Sequence, residues 1–323
     1  MIPKGKKAAQ LKIQVLAGGI SHERDISLKS GRRVADALTD FGATVVIREP
    51  DHELLANIKK DKPDVIFPCL HGASGEDGAL RDVLTLSGVP FVGADSAAAK
   101  LTWDKSVAKV LVSRAGVQTP ASITLPKETF RELDAEGVLK AVTNSISLPV
   151  VVKPARSGSA QGVTIVRNQN ELNRAMIDAY VYCDVAIIEK FIEGTELAIS
   201  IIDLGAGPMA LPPVEIEPRD GNYGYNERYV AGETNFYIPA RVSNVVSERA
   251  CTIAINVHEV LGLRHLSRID MIVDKKGVCW FLEANVMPGL TETSLLPQAV
   301  TASGNSLAEV YYSLAEAAVR GRG

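Results

Sequence analysis

Short apolar runs alternate with amphipathic stretches over the first third of the chain. Leu11 to Ala17 reads as a strand, Ser27 to Asp40 as a helix closed by Gly42, Ala43 to Arg48 as a strand and His52 to Lys60 as a helix. Asp64 to Leu70, Glu76 to Ser87 and Val89 to Val92 continue as strand, helix and strand. This α/β alternation predicts a parallel, doubly wound sheet with helices on both faces, whose ligands sit beyond the carboxyl ends of the strands. Gly18-Gly19 and His71-Gly72 fall at two such ends.

One long helix is expected from Ser96 to Arg114, closed by Gly116, and the pattern then turns toward paired strands with fewer crossovers. Pro149 to Lys153, Gly162 to Val166 and Val185 to Lys190 predict a small antiparallel sheet with helices, an α+β lobe. A third lobe holds further strands, a polar loop from Pro218 to Asn235 and a helix from Ser243 to Leu261. That helix carries Val246, Ala250, Ile253, Ala254, Val257 and Leu261 on one face. With a boundary near Asp95, the expected division is 1–94, 95–188 and 189–323. The sequence shows no internal repeat and no low-complexity segment.

Composition removes several classes. The 323 residues are 46% hydrophobic and 23% charged, ample for a globular core. Lysine and arginine total 35 against 38 acidic residues, a net charge of −3, so no overall field draws the chain to nucleic acid or an anionic membrane. Cys69, Cys183, Cys251 and Cys279 are scattered without a C-x-x-C pair and read as buried reduced thiols. Lys12 and Gln14 break the apolar stretch behind Lys4, Lys6 and Lys7, so no signal-peptide core is expected. No apolar run reaches the roughly 18 residues of a membrane span. The cytoplasm is the expected compartment.

A P-loop, a G-x-S-x-G elbow and an H-E-x-x-H helix are all missing from the sequence. The segment Arg268-Ile-Asp270 to Leu282-Glu283-Ala-Asn285, folded at the Asp274 to Gly277 turn, predicts a hairpin in which Asp270 faces Phe281 and Arg268 faces Glu283. Alternation then puts Arg268, Asp270, Glu283 and Asn285 on one face, with Ile269, Met271, Val273, Trp280 and Leu282 on the other. Two carboxylates and an amide oxygen suit magnesium, a hard ion that prefers oxygen. The same pattern also describes a hairpin whose polar face meets solvent, with Arg268 as an ion-pair partner.

Lys153-Pro-Ala-Arg-Ser-Gly158-Ser159 joins a strand to a small-residue bend whose N–H groups can meet a phosphate, or it is an ordinary turn. Lys105 is either a second phosphate contact or a surface lysine. Glu189-Lys190-Phe-Ile192 ends a strand that can present backbone groups to an adenine edge, with Glu196 placed to accept from ribose hydroxyls; a plain strand and turn fits as well. Glu23 can hold an ammonium group, or it and Glu76 are helix-start acids and His71 a satisfied half-buried histidine. Tyr223 to Tyr229, rich in aromatics, reads as a lid or as a loop packed on the body.

Taken together, these segments resemble the D-alanine:D-alanine ligase family of the ATP-grasp superfamily. The matching pieces are Gly18-Gly-x-Ser-x-Glu23, His71-Gly-x-x-Gly-Glu-Asp-Gly78, Asp104-Lys105, Lys153-Pro-x-Arg-x-Gly-Ser159, Glu189-Lys190, Tyr225 to Tyr229, Arg268-Ile-Asp270 and Leu282-Glu-Ala-Asn285-x-x-Pro-Gly289-x-Thr-x-x-Ser294. They run in order over nearly the whole chain. The resemblance implies an N-terminal parallel lobe followed by a two-lobe ATP-grasp fold with ATP between the two sheets. It implies ligation of two D-alanines, small-molecule substrates, for peptidoglycan precursors. ATP phosphorylates the first carboxylate, the second amine attacks the acyl phosphate, and phosphate leaves.

By the same resemblance, ATP is held by Lys105, Lys153, Ser159, Glu189, Lys190, Ile192, Glu196, Arg228 and Asn285, and Mg2+, or Mn2+, by Asp270, Glu283 and Asn285. Glu23 binds the first ammonium, Arg268 and the Gly289 backbone hold the oxyanion, and His71 lies near the acyl phosphate. Ser294 and the Leu295 backbone receive the second carboxylate. Glu23, Ser159 and Tyr229 form a hydrogen-bonded set under the lid. The expected assembly is a homodimer. Ala160 stands where a second serine is common, Gly224 where the lid motif has an acid, and Arg228 where it has lysine. These departures leave D-serine, D-lactate or another amino acid open as acceptor. A nucleotide-binding regulator without turnover is the reading from another class, opposed by the full set of Arg268, Asp270, Glu283 and Asn285.

Overall fold

The structure, a computed structural model, describes residues 10–218 and 234–321. The expected lid, with Tyr223, Gly224, Tyr225, Arg228 and Tyr229, lies outside them. Strands β1 (Lys12–Leu16), β2 (Thr44–Arg48) and β3 (Val65–Pro68) form a parallel sheet in the order β2-β1-β3. Side-chain alternation sends Ile13, Val15, Val65 and Phe67 to one face, against Val34, Ala35 and Leu38 of α1 (Arg24–Asp40). Leu16 and Ile66 pack on the other face against Leu54 and Ile58 of α2 (Leu54–Asp61). Both faces are therefore covered, as the helix–strand alternation requires.

Two expected elements change here. The helix over Glu76 to Ser87 is two short ones, α3 (Ala73–Glu76) and α4 (Ala79–Leu86), because Gly78 turns left-handed at φ +89°. The strand Val89 to Val92 contracts to a single bridge between Ile66 and Phe91.

The long helix from Ser96 to Arg114 is also broken, into α5 (Ser96–Trp103) and α6 (Lys105–Arg114). Asp104 between them is extended, at φ −86° and ψ 100°, and its carboxylate accepts from the Ser106 and Val107 N–H groups at 3.1 and 3.3 Å. An aspartate that caps a new helix competes with continuation of the old one. Ala98, Ala99, Ala108 and Val112 of this pair join the core of the C-terminal sheet.

The central sheet, antiparallel in the order β4-β7-β5-β6, comprises β4 (Ser122–Pro126), β5 (Val150–Pro154), β6 (Thr164–Val166) and β7 (Val185–Lys190). Helices α7 (Lys127–Glu132), α8 (Ala135–Ser145) and α9 (Leu172–Tyr180) accompany it. Its own core joins Val150, Val152 and Ile188 to Leu139, Val142, Leu172 and Met176.

The C-terminal sheet runs β11-β10-β8-β12-β13, with β9 on β8. These strands are β8 (Gly194–Asp203), β9 (Pro208–Ala210), β10 (Val214–Pro218), β11 (Thr234–Tyr237), β12 (Leu266–Asp274) and β13 (Cys279–Asn285). Helix α10 (Asn244–Val260) follows the expected face, burying Ala250, Ala254 and Val257, and Ser243 caps it. Helices α11 (Leu295–Ala302) and α12 (Leu307–Arg320) close the chain, and Tyr311 meets Phe67 of the first sheet edge-on at 5.9 Å. All four cysteines are free, but only Cys69 and Cys279 are buried; Cys183 and Cys251 are half-buried. Among the described residues no helix is long and apolar enough to cross a membrane.

Candidate active site

The β12–β13 hairpin forms in another register than simple alternation predicts. Arg268 pairs with Asn285 and Asp270 with Glu283, but Met271 then pairs with Phe281, so Leu282 is an extra residue on β13. Such a bulge rotates the strand by one residue and reverses which side chains share a face. The expected pairings of Asp270 with Phe281 and of Arg268 with Glu283 are corrected on this ground. So is the core placement of Trp280 and Leu282: both are half-buried, and Leu282 lines a cavity. The bulge puts Asp270 and Glu283 side by side while Phe281 and Cys279 remain in the core.

That cavity, of about 480 Å3, lies between the central and C-terminal sheets. Val151 and Ile165 line it from one sheet, Ile272 and Leu282 from the other, and Ile192 and Glu196 also border it. Lys105 and Lys153 reach it as buried lysines. Lys153 Nζ lies 2.5 Å from Glu189 Oε1, and Lys109 Nζ lies 2.8 Å from Glu189 Oε2. Burial pushes the Glu189 carboxyl up, but the two ammonium groups outweigh it and hold it below the ordinary range. Burial likewise lowers the Lys109 ammonium, to about 8. Lys190 borders the cavity while its ammonium donates to Ser147 O at 2.8 Å.

The break at Asp104 ties the glycine-serine bend to the rest. Lys105 N–H donates to Ala155 O at 2.9 Å, Lys105 Nζ donates to Ser157 O at 2.6 Å, and Arg156 Nε donates to Asp104 Oδ2 at 3.0 Å. Lys105 Nζ also stands 3.3 Å from Glu283 Oε2. In the bend, Ser159 and Ala160 are both left-handed, at φ +50° and +55°.

A smaller cavity, of about 70 Å3, adjoins the first and is lined by Glu23, His71, Glu76, Ser159, Arg268, Asn285, Gly289, Ser294 and Leu295. The Ser159 hydroxyl donates to Glu23 Oε1. Glu23 occupies the cap position of α1 without capping it. Gly72 lies so close to Glu23 that a Cβ there would stand 2.5 Å from Oε2. His71 Nε2 is 3.0 Å from Ser30 Oγ, which accepts from Leu290 N–H at 3.3 Å; burial pushes the imidazole down, with Glu23 opposing. Burial and Glu23 push the Glu76 carboxyl up to about 8, and its Oε1 accepts from Gly72 N–H at 2.8 Å. Arg268 forks onto Asp270, Nε to Oδ1 and Nη2 to Oδ2, both at 2.7 Å, and so joins the two cavities. Asn285 Nδ2 donates to Asp270 Oδ2 at 3.3 Å.

Every described residue singled out from the sequence as a site residue lines one of these two cavities; Arg228 and Tyr229 lie outside the described residues. Lys109 was missed. Its signal was present, because it follows Lys105 by four residues and so shares a helical face with it.

Residues 47–94 match the family model of the D-ala D-ala ligase N-terminus, and residues 111–316 match that of the D-ala D-ala ligase C-terminus. The chain belongs to the D-alanine:D-alanine ligase family. Among curated members of this family, the D-alanine–D-alanine ligase of Bordetella petrii is 35% identical over 312 residues, 97% of this chain and 93% of that protein. That of Pelotomaculum thermopropionicum is 34% identical over 313 residues, 97% and 98% of the two chains. The fold of this D-alanine:D-alanine ligase family member matches the crystal structure of the VanG D-Ala:D-Ser ligase from Enterococcus faecalis, with a TM-score of 0.82 and 27% identity, covering 96% of this chain and 100% of the other. It also matches the D-alanine–D-alanine ligase of Bacillus anthracis complexed with ATP, at 0.80 and 25%, covering 96% and 98%.

Proposed function

We propose that this chain joins two D-alanines through an acyl phosphate at the expense of ATP, supplying peptidoglycan precursors as a cytoplasmic homodimer. The observation that carries the reading is the pair of adjoining cavities, one large and lysine-lined, one small and polar, joined by Arg268 and Asp270. Residues 1–94 supply the first substrate wall, 95–188 and 189–323 the two halves of the nucleotide grasp.

The facing apolar walls suit a flat base, with the Glu189 to Ile192 strand end at its edge and Glu196 at the ribose. Lys105, Lys153 and Arg228 offset phosphate charge, and Ser159 and Asn285 add hydrogen bonds. Asp270, Glu283 and the Asn285 amide fit magnesium, or manganese, because the bulge gathers hard oxygen donors beside Lys105. When bound, that ion offsets the charge of the transferring phosphoryl group.

Glu23, buried and held by Ser159, pairs with the first ammonium and positions its carboxylate toward the phosphates. His71, kept neutral by burial, hydrogen-bonds beside the acyl phosphate. Arg268 and the bare backbone of Gly289, where a Cβ would meet Ser294 Oγ at 2.6 Å, stabilise the tetrahedral oxyanion. The Ser294 hydroxyl and Leu295 N–H take the second carboxylate.

ADP release measured with D-alanine alone, and with D-alanine plus D-serine or D-lactate, tests the reading. D-alanine alone should support release and yield the dipeptide. Release only with another acceptor would reassign the second substrate, and nucleotide binding without any release would make the chain a regulator.

A further inference from the structure

We infer that Lys109 is a positioning residue of the nucleotide site, acting through Glu189 on the charge that Lys153 presents to ATP. The inference rests on the reading of the larger cavity as the ATP site.

Lys109 lies on α6 with its side chain 3% exposed. It does not line the cavity, so it cannot touch the nucleotide directly. Its ammonium is instead used entirely inside the protein: 2.8 Å from Glu189 Oε2, donating to Thr119 Oγ1 at 2.9 Å and to the Phe281 carbonyl at 3.5 Å. The other Glu189 oxygen lies 2.5 Å from Lys153 Nζ, which does line the cavity. One carboxylate therefore sits between two ammonium groups, and the three together carry one net positive charge.

Without Lys109 the remaining Lys153–Glu189 pair is neutral, and the carboxylate is free to turn fully onto Lys153. The field that Lys153 offers a polyphosphate then falls, although its side chain stays in place. A buried lysine is a costly way to fill space beside Ala108 and Val112, and a simple cross-link between helix and strand needs no charge. Lys109 also anchors the carbonyl of Phe281, two positions before Glu283, so the same ammonium aligns the nucleotide strand β7 with the cation strand β13.

The test measures the dissociation constant of a non-hydrolysable ATP analogue by titration calorimetry, and kcat and KM for ATP with D-alanine saturating. Lys109→Met should weaken analogue binding and raise KM for ATP by about tenfold or more, the scale of removing one unit of net charge close to the bound phosphates. Its kcat should stay within about threefold, well short of the loss expected for a group that touches the reacting atoms. Lys109→Arg should recover most of the binding. In a Glu189→Gln background the same Lys109→Met change should add little, because the group through which it acts is gone.

If Lys109→Met does not fold, Lys109→Gln, which keeps a donor and loses the charge, replaces it with the same expectations. Unchanged analogue affinity, or an equal loss with and without Glu189, would overturn the inference. Calorimetry reads the Lys109 effect whether or not ligation occurs. A parent protein that binds the analogue but never ligates would therefore contradict the proposed function and leave the Lys109 result standing on its own.

Discussion

Arg268→Met separates the two duties assigned to this residue. The Arg268 and Asp270 side chains are only 12% and 4% exposed and share two hydrogen bonds of 2.7 Å. Removing the guanidinium leaves Asp270 with the longer Asn285 contact of 3.3 Å. Breaking one side of so buried a pair costs about 3 to 5 kcal/mol of folding stability. Loss of the oxyanion donor should separately lower kcat by about 10² to 10³. Affinity for ATP should change little, because Arg268 lines the smaller cavity and not the larger. Denaturant unfolding gives the first quantity, and steady-state rates with ATP and D-alanine varied in turn give the others. Arg268→Met/Asp270→Leu should regain most of the stability, since both charges leave together, and remain inactive. The reasoning fails if Arg268→Met turns over within about threefold of the parent, or if its defect is confined to ATP affinity, which would make Arg268 a phosphate ligand or a structural ion pair.

Glu76 gives a pH prediction. Its carboxyl titrates near 8 in the folded chain against an ordinary 4.5, so its stability contribution is present below the ordinary value and is lost as pH rises toward 8. Glu76→Gln should accordingly gain on the parent in melting temperature between about pH 5 and 8, and parallel pH profiles would refute the assignment. Gly72→Ala forces a Cβ to 2.5 Å from Glu23 Oε2 at a φ of +68°, and should raise KM for D-alanine while leaving ATP binding intact; a defect in ATP binding alone would contradict this. Glu283→Gln removes one of the two carboxylates that the bulge sets side by side, so turnover should be largely lost; a parent-like rate would rule out the Asp270–Glu283 pair as the cation site.

The first sheet was legible because its signal is local: period-two strands and amphipathic helices such as α1 are written in consecutive residues. The eight motif segments were legible for the same reason, and the fold brings the seven that lie among the described residues to two adjoining cavities. What escaped depends on single residues acting against an otherwise regular pattern. Asp104 ends a helix that the apolar periodicity carries straight through, and only its cap bonds reveal the break. Leu282 is an ordinary apolar residue whose role as a bulge arises from pairing with β12, which no property of β13 alone announces. Lys109 was hidden by its type, because a lysine on a helix is usually solvated, whereas its partner Glu189 is 80 residues away in sequence and meets it only across packed elements.

The central claim is that the D-alanine carboxylate, not water, receives the phosphoryl group. It is tested most directly with D-alanine carrying heavy oxygen in its carboxylate, followed by mass spectrometry of the phosphate released during dipeptide formation. Attack of a carboxylate oxygen on the γ-phosphorus, then displacement by the second amine, leaves one carboxylate oxygen on the phosphate. The account predicts one heavy oxygen in each phosphate released with a dipeptide. Phosphate that leaves unlabelled would contradict it.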